Sequence, residues 1–148
     1  MMKARPAGKA RTKPAPNLST SSKKRKASDP LLQHLNWENV ELEQLNPLFG
    51  RQYVFGKNVM LARVFLGKGC IVPLHGHHNE QLSYVLEGKL VFWIDDKPIT
   101  VQGGEVLLIP PDMPHKIEAL EDSLSLDIFD PPREDWINKT DSYLRQAK

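Results

Sequence analysis

The chain has 148 residues, 40% of them apolar, which suits one ordinary domain with a real hydrophobic core. Its net charge of +2 hides an asymmetry: residues 1–28 carry nine Lys/Arg and no acid, whereas residues 29–148 carry eleven Lys/Arg against eighteen Asp/Glu, about −7 by subtraction. The lone Cys70 excludes an internal disulfide and a thiolate-rich metal site, so a reducing, cytoplasmic setting is expected.

Residues 1–28 are rich in Lys, Pro and Ser and cannot bury enough apolar surface to offset the entropy of ordering, so they read as a disordered basic tail. The cluster Lys23-Lys24-Arg25-Lys26 is read first as a solvated extension, ahead of a nuclear address or a nucleic-acid contact. There is neither an apolar run of eighteen residues nor the apolar core of a secretory signal, so a membrane partner is not expected. Residues 29–148 form the predicted domain. Asp29 before Pro30 predicts a helix cap and a short helix over Leu31–Leu35.

From Val40 onward, short runs of Val, Ile, Leu, Phe and Tyr alternate with Gly, Pro and Asp. Strands are predicted over Gln52–Phe55, Val59–Leu66, Ile71–His75, Leu82–Glu87, Leu90–Ile94, Ile99–Val101, Val106–Ile109, His115–Ala119 and Leu124–Phe129. With no helix pattern between them, the fold class is all-β, an antiparallel sandwich or barrel. Both faces of Leu90–Ile94 are apolar, which predicts burial between sheets or at a subunit interface. Pro131-Pro132 ends the last strand, and Arg133 to Lys148 reads as a weak helix or an extended tail.

The chemistry concentrates in His75-Gly76-His77-His78-Asn79-Glu80-Gln81 and in His115. Side chains alternate along a strand, so His75 and His77 share a face and can close on one ion, while His78 turns away. Gln81 offers an amide oxygen across a short bend, and Glu80, the rival oxygen, has the wrong parity relative to His77. Three imidazoles and one oxygen suit Zn, Ni, Fe or Mn, among which the sequence does not choose.

At these residues the chain resembles the cupin superfamily. The motif G-x5-H-x-H-x3-E-x6-G maps onto Gly69, His75, His77, Gln81 and Gly88, with Gln where Glu is usual. The motif G-x5-P-x-G-x2-H-x3-N maps onto Gly104, Pro110 and His115, with Asp112 in place of Gly and Ala119 in place of Asn. The resemblance implies a jelly-roll barrel that binds one divalent metal ion, and a homodimer. Asp112 fits if its backbone is left-handed. Gln81 removes a negative charge from the ligand set, which leaves the ion a stronger Lewis acid and favours redox-neutral chemistry.

A narrower similarity runs through residues 77–88 and 127–135, to the small cupins of pectin and alginate breakdown that convert 4,5-unsaturated uronates into linear keto-uronates. It implies a metal-dependent isomerase or lyase acting on a sugar acid. In that family the residues matching Asp127 and Arg133 line the active site and the one matching Phe129 closes the pocket wall. Arg133 would then receive the carboxylate and Asp127 would move protons. Open alternatives are a surface ion pair of Arg133 with Glu134 or Asp135, a buried hydrogen-bonded Asp127, and Phe129 as plain core. At the level of function they are a dioxygenase or small-acid lyase, and a non-catalytic ligand-binding barrel.

Overall fold

The structure is a computed structural model that describes residues 31–145; the basic tail, Asp29 and Pro30 lie outside them. Ten strands occur among these residues. They are β1 (Glu43–Asn46), β2 (Phe49–Phe55), β3 (Met60–Leu66), β4 (Ile71–His75), β5 (Glu80–Glu87), β6 (Lys89–Ile94), β7 (Lys97–Gln102), β8 (Val106–Ile109), β9 (His115–Ala119) and β10 (Ser123–Asp130). They pair antiparallel into a six-stranded sheet, β1-β2-β3-β10-β5-β8, and a four-stranded sheet, β4-β9-β6-β7.

The all-β expectation holds, and every predicted strand is present. The N-terminal helix does not form where the sequence predicted it. Leu31–Asn36 carry no helix, and a single 3-10 turn follows at Trp37–Asn39, capped by the Asn36 side chain accepting from the Glu38 N–H. The C-terminal segment forms two one-turn helices, α1 (Glu134–Ile137) and α2 (Ser142–Arg145).

Local chemistry fixes the turns. Asp95 and Asp96 join β6 to β7 with φ of 50° and 60°, a left-handed pair that suits a two-residue hairpin. Asp112 has φ 64°, as its replacement of glycine required. Gly88 has φ 91°, and a Cβ there would sit 2.4 Å from the Asp122 carbonyl oxygen, so the β5–β6 corner admits only glycine. Pro73 and Pro98 lie in β4 and β7, the edges of the smaller sheet, where a missing N–H costs no ladder bond.

The core fills the space between the sheets with Phe49, Met60, Val64, Val85, Leu90, Phe92, Ile109 and Ile117. Strand β6 is interior to its sheet, paired with both β7 and β9, and Leu90, Val91 and Phe92 are all buried within the chain. Leu90 and Phe92 belong to the core between the sheets, whereas Trp93 and Ile94 are half-buried.

An ionic cluster ties the C-terminal segment to β1 and β2. Arg51, fully buried, pairs with Glu43 and Asp141, each at 2.6 Å, and lies over the Trp136 ring at 4.3 Å. Lys139 and Arg145 add to Glu43, and Arg145 also meets Asp141. Arg51→Ala would leave the buried Asp141 carboxylate with only the half-exposed Arg145 as its ion-pair partner, so we expect a loss of about 3 kcal/mol in urea unfolding. A loss under about 1 kcal/mol would contradict this reading.

Candidate metal centre

Strand pairing assembles the site. His75 lies opposite His115 in the β4–β9 register, and His77 follows two residues later on the same side. The ligand nitrogens of His75, His77 and His115 lie within 4.8 Å of one another. Bonds of about 2.1 Å to one ion place such atoms roughly 3–4 Å apart, so a small tightening closes the set.

Each imidazole is oriented by its backbone. Nδ1 of His75 is 2.7 Å from the Pro73 carbonyl, Nδ1 of His77 is 3.0 Å from that of Asn79, and Nδ1 of His115 is 2.9 Å from that of Met113. A carbonyl only accepts, so each Nδ1 carries the proton and each Nε2 presents a lone pair. Nε2 of the fully buried His115 has no hydrogen-bond partner. Gln81 Oε1 stands 3.0 Å from His77 Nε2, a contact between two lone pairs that a cation between them would turn from repulsive to attractive. The residues present therefore fit a divalent ion.

Electrostatics agree. Burial lowers the His75 pKa to about 3, with His115 and Arg133 adding to it, and burial with Arg133 and His115 lowers that of His77 to about 4. Burial, helped by Arg133, lowers that of His115 as well. The imidazoles are thus neutral at pH 7, as ligation needs.

A histidine whose folded pKa lies below its unfolded 6.5 takes up its proton only on unfolding, so stability falls as pH drops below 6.5. Asp127 opposes this: burial raises its pKa to about 6, so below pH 6 its protonation stabilises the fold. We expect the metal-free protein to lose on the order of 3 kcal/mol between pH 7 and pH 5, about one of the histidine kcal/mol being offset by Asp127. Urea midpoints unchanged over that range would contradict the neutral triad.

Behind the histidines, β5 and β10 turn polar side chains into the barrel. Gln81, Ser83, Ser125 and Asp127 are buried, while Leu82, Tyr84, Leu126 and Ile128 alternate outward. His75, Gln81, Asp127, Phe129 and Arg133 line one cavity of about 30 Å³, room for no more than a few waters. Leu144 from α2 also lines it, and the ring of its neighbour Tyr143 is stacked on His75 at 5.0 Å and 28°. Phe129 is fully buried and meets His77 edge-on at 5.8 Å, so it is core and cavity wall at once.

Arg133 combines the two readings left open for it, lining the cavity and pairing with Asp135. It is buried rather than on the surface, and its Nε and Nη2 grip Asp135 at 2.9 and 2.8 Å while Nη2 also meets the Tyr143 hydroxyl. That edge of the guanidinium is taken, so the bidentate fork expected for a substrate is occupied from within. The pairing with Asp135, one of the open alternatives, is what forms. Glu80 and His78 are exposed, and Asn79 is buried, its amide donating to the Pro131 carbonyl at 2.6 Å and to that of Pro132. Sequence reasoning missed Ser83, Ser125 and Tyr143. The two serines were within reach, since each lies two residues from a candidate and shares its strand face; nothing in the sequence marks Tyr143.

An antiparallel barrel that gathers three neutral histidines and a buried amide is a small jelly roll with a candidate metal site. Residues 62–130 match the family model described as Cupin domain, and the fold is the cupin jelly roll. An RmlC-like cupin from Shewanella frigidimarina NCIMB 400 superposes with a TM-score of 0.67 and 26% identity, over 73% of this chain and 98% of that one. KdgF from Halomonas sp. gives a TM-score of 0.63 at 24% identity, over 67% and 94% of the two chains, a likeness of fold. Oxalate decarboxylase from Bacillus subtilis, with Mn(II) centres, shares the fold at 21% identity and a TM-score of 0.61, over 68% of this chain and 30% of that one. The uncharacterized protein MJ1618 of Methanocaldococcus jannaschii is 36% identical over 66 residues, 44% of this chain; the match spans about half the length of that relative, 53%. No helix among the described residues is long and apolar enough to cross a membrane.

Proposed function

We propose that this cupin holds one divalent ion (Zn, Ni, Fe or Mn) with His75, His77, Gln81 and His115 and linearises a 4,5-unsaturated uronate or a similar sugar acid. The observation that carries the reading is the shared cavity: a neutral amide ligand, a buried cation at Arg133 and a buried carboxylate at Asp127 line one space with His75. The ion supplies Lewis acidity toward the oxygens of the sugar. Arg133 attracts the substrate carboxylate with Nη1, the nitrogen engaged by neither Asp135 nor Tyr143.

The reaction is redox-neutral. The anomeric hydroxyl gives up a proton, the bond from the anomeric carbon to the ring oxygen breaks, and the enol carbon takes a proton as the ketone forms. Asp127, with its pKa raised by burial to about 6, is suited to hold and return that proton near neutral pH. The cavity is smaller than a sugar, so admitting the substrate requires Tyr143 and α2 to swing aside. The test is to incubate the metal-loaded protein with an unsaturated galacturonate and follow the ultraviolet absorbance of its enol double bond. Loss faster than the spontaneous rate is expected; no excess loss would refute the activity.

A second reading, a small-acid lyase on the same ligands, draws on the size of the cavity. Turnover of a two- or three-carbon acid in place of the uronate would favour it.

The working unit is proposed to be a homodimer formed through the outer face of the six-stranded sheet. There Leu82, Tyr84, Val106, Leu108, Leu126 and Ile128 are neighbours in register, with Val106 57% and Leu108 55% exposed. A contiguous apolar face of this kind, on the order of several hundred Å², approaches the ~800 Å² per partner of a standard interface. A second copy covers it with matching apolar surface. Light scattering is expected to give twice the chain mass, and Leu108→Glu to shift the protein to monomer; a monomeric parent protein would contradict the dimer.

A further inference from the structure

We propose that Asp127 and Ser83 form a positioning relay that turns the Gln81 amide so that its oxygen, and not its nitrogen, faces the three histidines. The inference rests on the metal-centre reading above. The two ends of an amide have nearly the same shape, so packing alone does not choose between them; hydrogen bonds do. With its nitrogen toward the cluster, Gln81 would offer two donors and no lone pair, and would be no ligand at all.

The choice is made one strand position away. Gln81 Nε2 donates to Ser83 Oγ at 2.9 Å, both groups buried. Ser83 lies directly opposite Asp127 in the β5–β10 register, both side chains buried, and hydrogen bonding from Ser83 counts among the influences that hold the Asp127 pKa down against burial. Ser125 Oγ donates to the same carboxylate at 2.7 Å. A serine has one proton. Because Asp127 claims it, the lone pairs of Ser83 are left for Gln81, and only the amide nitrogen can satisfy them.

The same chain of donors explains why this barrel takes Gln where the family motif has Glu. A glutamate at position 81 would compete with Asp127 for the single Ser83 proton, leaving Asp127 with the Ser125 hydroxyl as its one serine donor. Position 81 and position 127 are therefore coupled through position 83. With Asn at 127, the polarity of the relay can reverse: the asparagine nitrogen donates to Ser83, and Ser83 donates to a carboxylate at position 81.

The experiment is a double-mutant cycle on Zn²⁺ affinity, measured by chelator competition on full-length protein, for wild type, Gln81→Glu, Asp127→Asn and the double variant. Asp127→Asn is expected to leave the affinity of the protein with its native Gln81 within about threefold, because the asparagine turns its oxygen to Ser83 and its nitrogen to Ser125. In the Gln81→Glu background, the same change is expected to tighten Zn²⁺ at least about tenfold, in the range that partners of a metal ligand usually command. Ser83→Ala alone should weaken binding about tenfold to a hundredfold, and should erase the coupling between 81 and 127. Ser83→Cys, which keeps the volume and weakens both bonds, gives the same sign if the alanine variant does not fold.

Equal effects of Asp127→Asn in the two backgrounds would overturn the relay. So would coupling that survives removal of Ser83, since that would be plain repulsion between two carboxylates. Wild-type protein that binds no Zn²⁺, Ni²⁺ or Mn²⁺ would overturn the metal centre itself, a result distinct from an additive cycle.

Discussion

His115→Ala is expected to lower the affinity for a divalent ion about 300-fold. A complete set of protein ligands contributes roughly 10–16 kcal/mol of apparent binding energy, so one of four is worth about 3.5 kcal/mol. The loss is specific because the lone pair removed is the one the fold leaves buried and unpaired. His78→Ala serves as the control: its ring is exposed, and binding should be unchanged. Isothermal titration with Zn²⁺ measures both. A His115 variant that binds as tightly as wild type would mean that the ion sits elsewhere.

The second large effect is on turnover. Asp127→Asn should reduce kcat on an unsaturated uronate by about 10³, within the range carried by a positioned acid–base group. Metal content should stay at the wild-type level, because an asparagine keeps the bond from Ser83. The separation of kcat from metal binding is the informative readout. A purely structural Asp127 would leave kcat within a fewfold of wild type, and a variant that loses its metal would assign the carboxylate to the centre rather than to the chemistry.

Much of this architecture is legible in the sequence where local rules decide it. The strand from Ile71 to His75 and that from Val106 to Ile109 begin and end as their apolar runs predict, and the parity of strand side chains places His75 and His77 together and sends His78 outward. Asp112 in a left-handed turn follows from the chemistry of its side chain. Parity also separates Gln81 from Glu80: the amide is buried and the carboxylate is exposed.

What escaped the sequence depends on partners far along the chain. Strand β1, Glu-Gln-Leu-Asn, has no apolar alternation and exists because β2 pairs with it and Arg51 reaches Glu43. The Asp-Pro cap at 29–30 predicted a helix over Leu31–Leu35, yet a pentad with three leucines has little to gain by coiling, and the turn forms later, where Asn36 caps it. In sequence Arg133 reads either as a substrate clamp or as the partner of Glu134 or Asp135; only the fold of α1 and α2 selects Asp135 and brings Tyr143 onto its inner edge. The orientation of β5 and β10 is the least local of all. Their Ser, Gln and Asp face inward and their Leu, Tyr and Ile face outward, the reverse of the usual rule, an arrangement that fits the proposed site inside the barrel and the proposed dimer face outside it.

The most direct measurement is X-ray absorption at the metal edge of Zn²⁺-loaded protein, with elemental analysis of the same sample. One ion per chain, bound by three imidazoles at about 2.0–2.1 Å with an oxygen neighbour, is the expected result. The amide oxygen scatterer should weaken in Ser83→Ala. Less than half an equivalent of metal, or a spectrum with fewer than three imidazoles, would contradict the account.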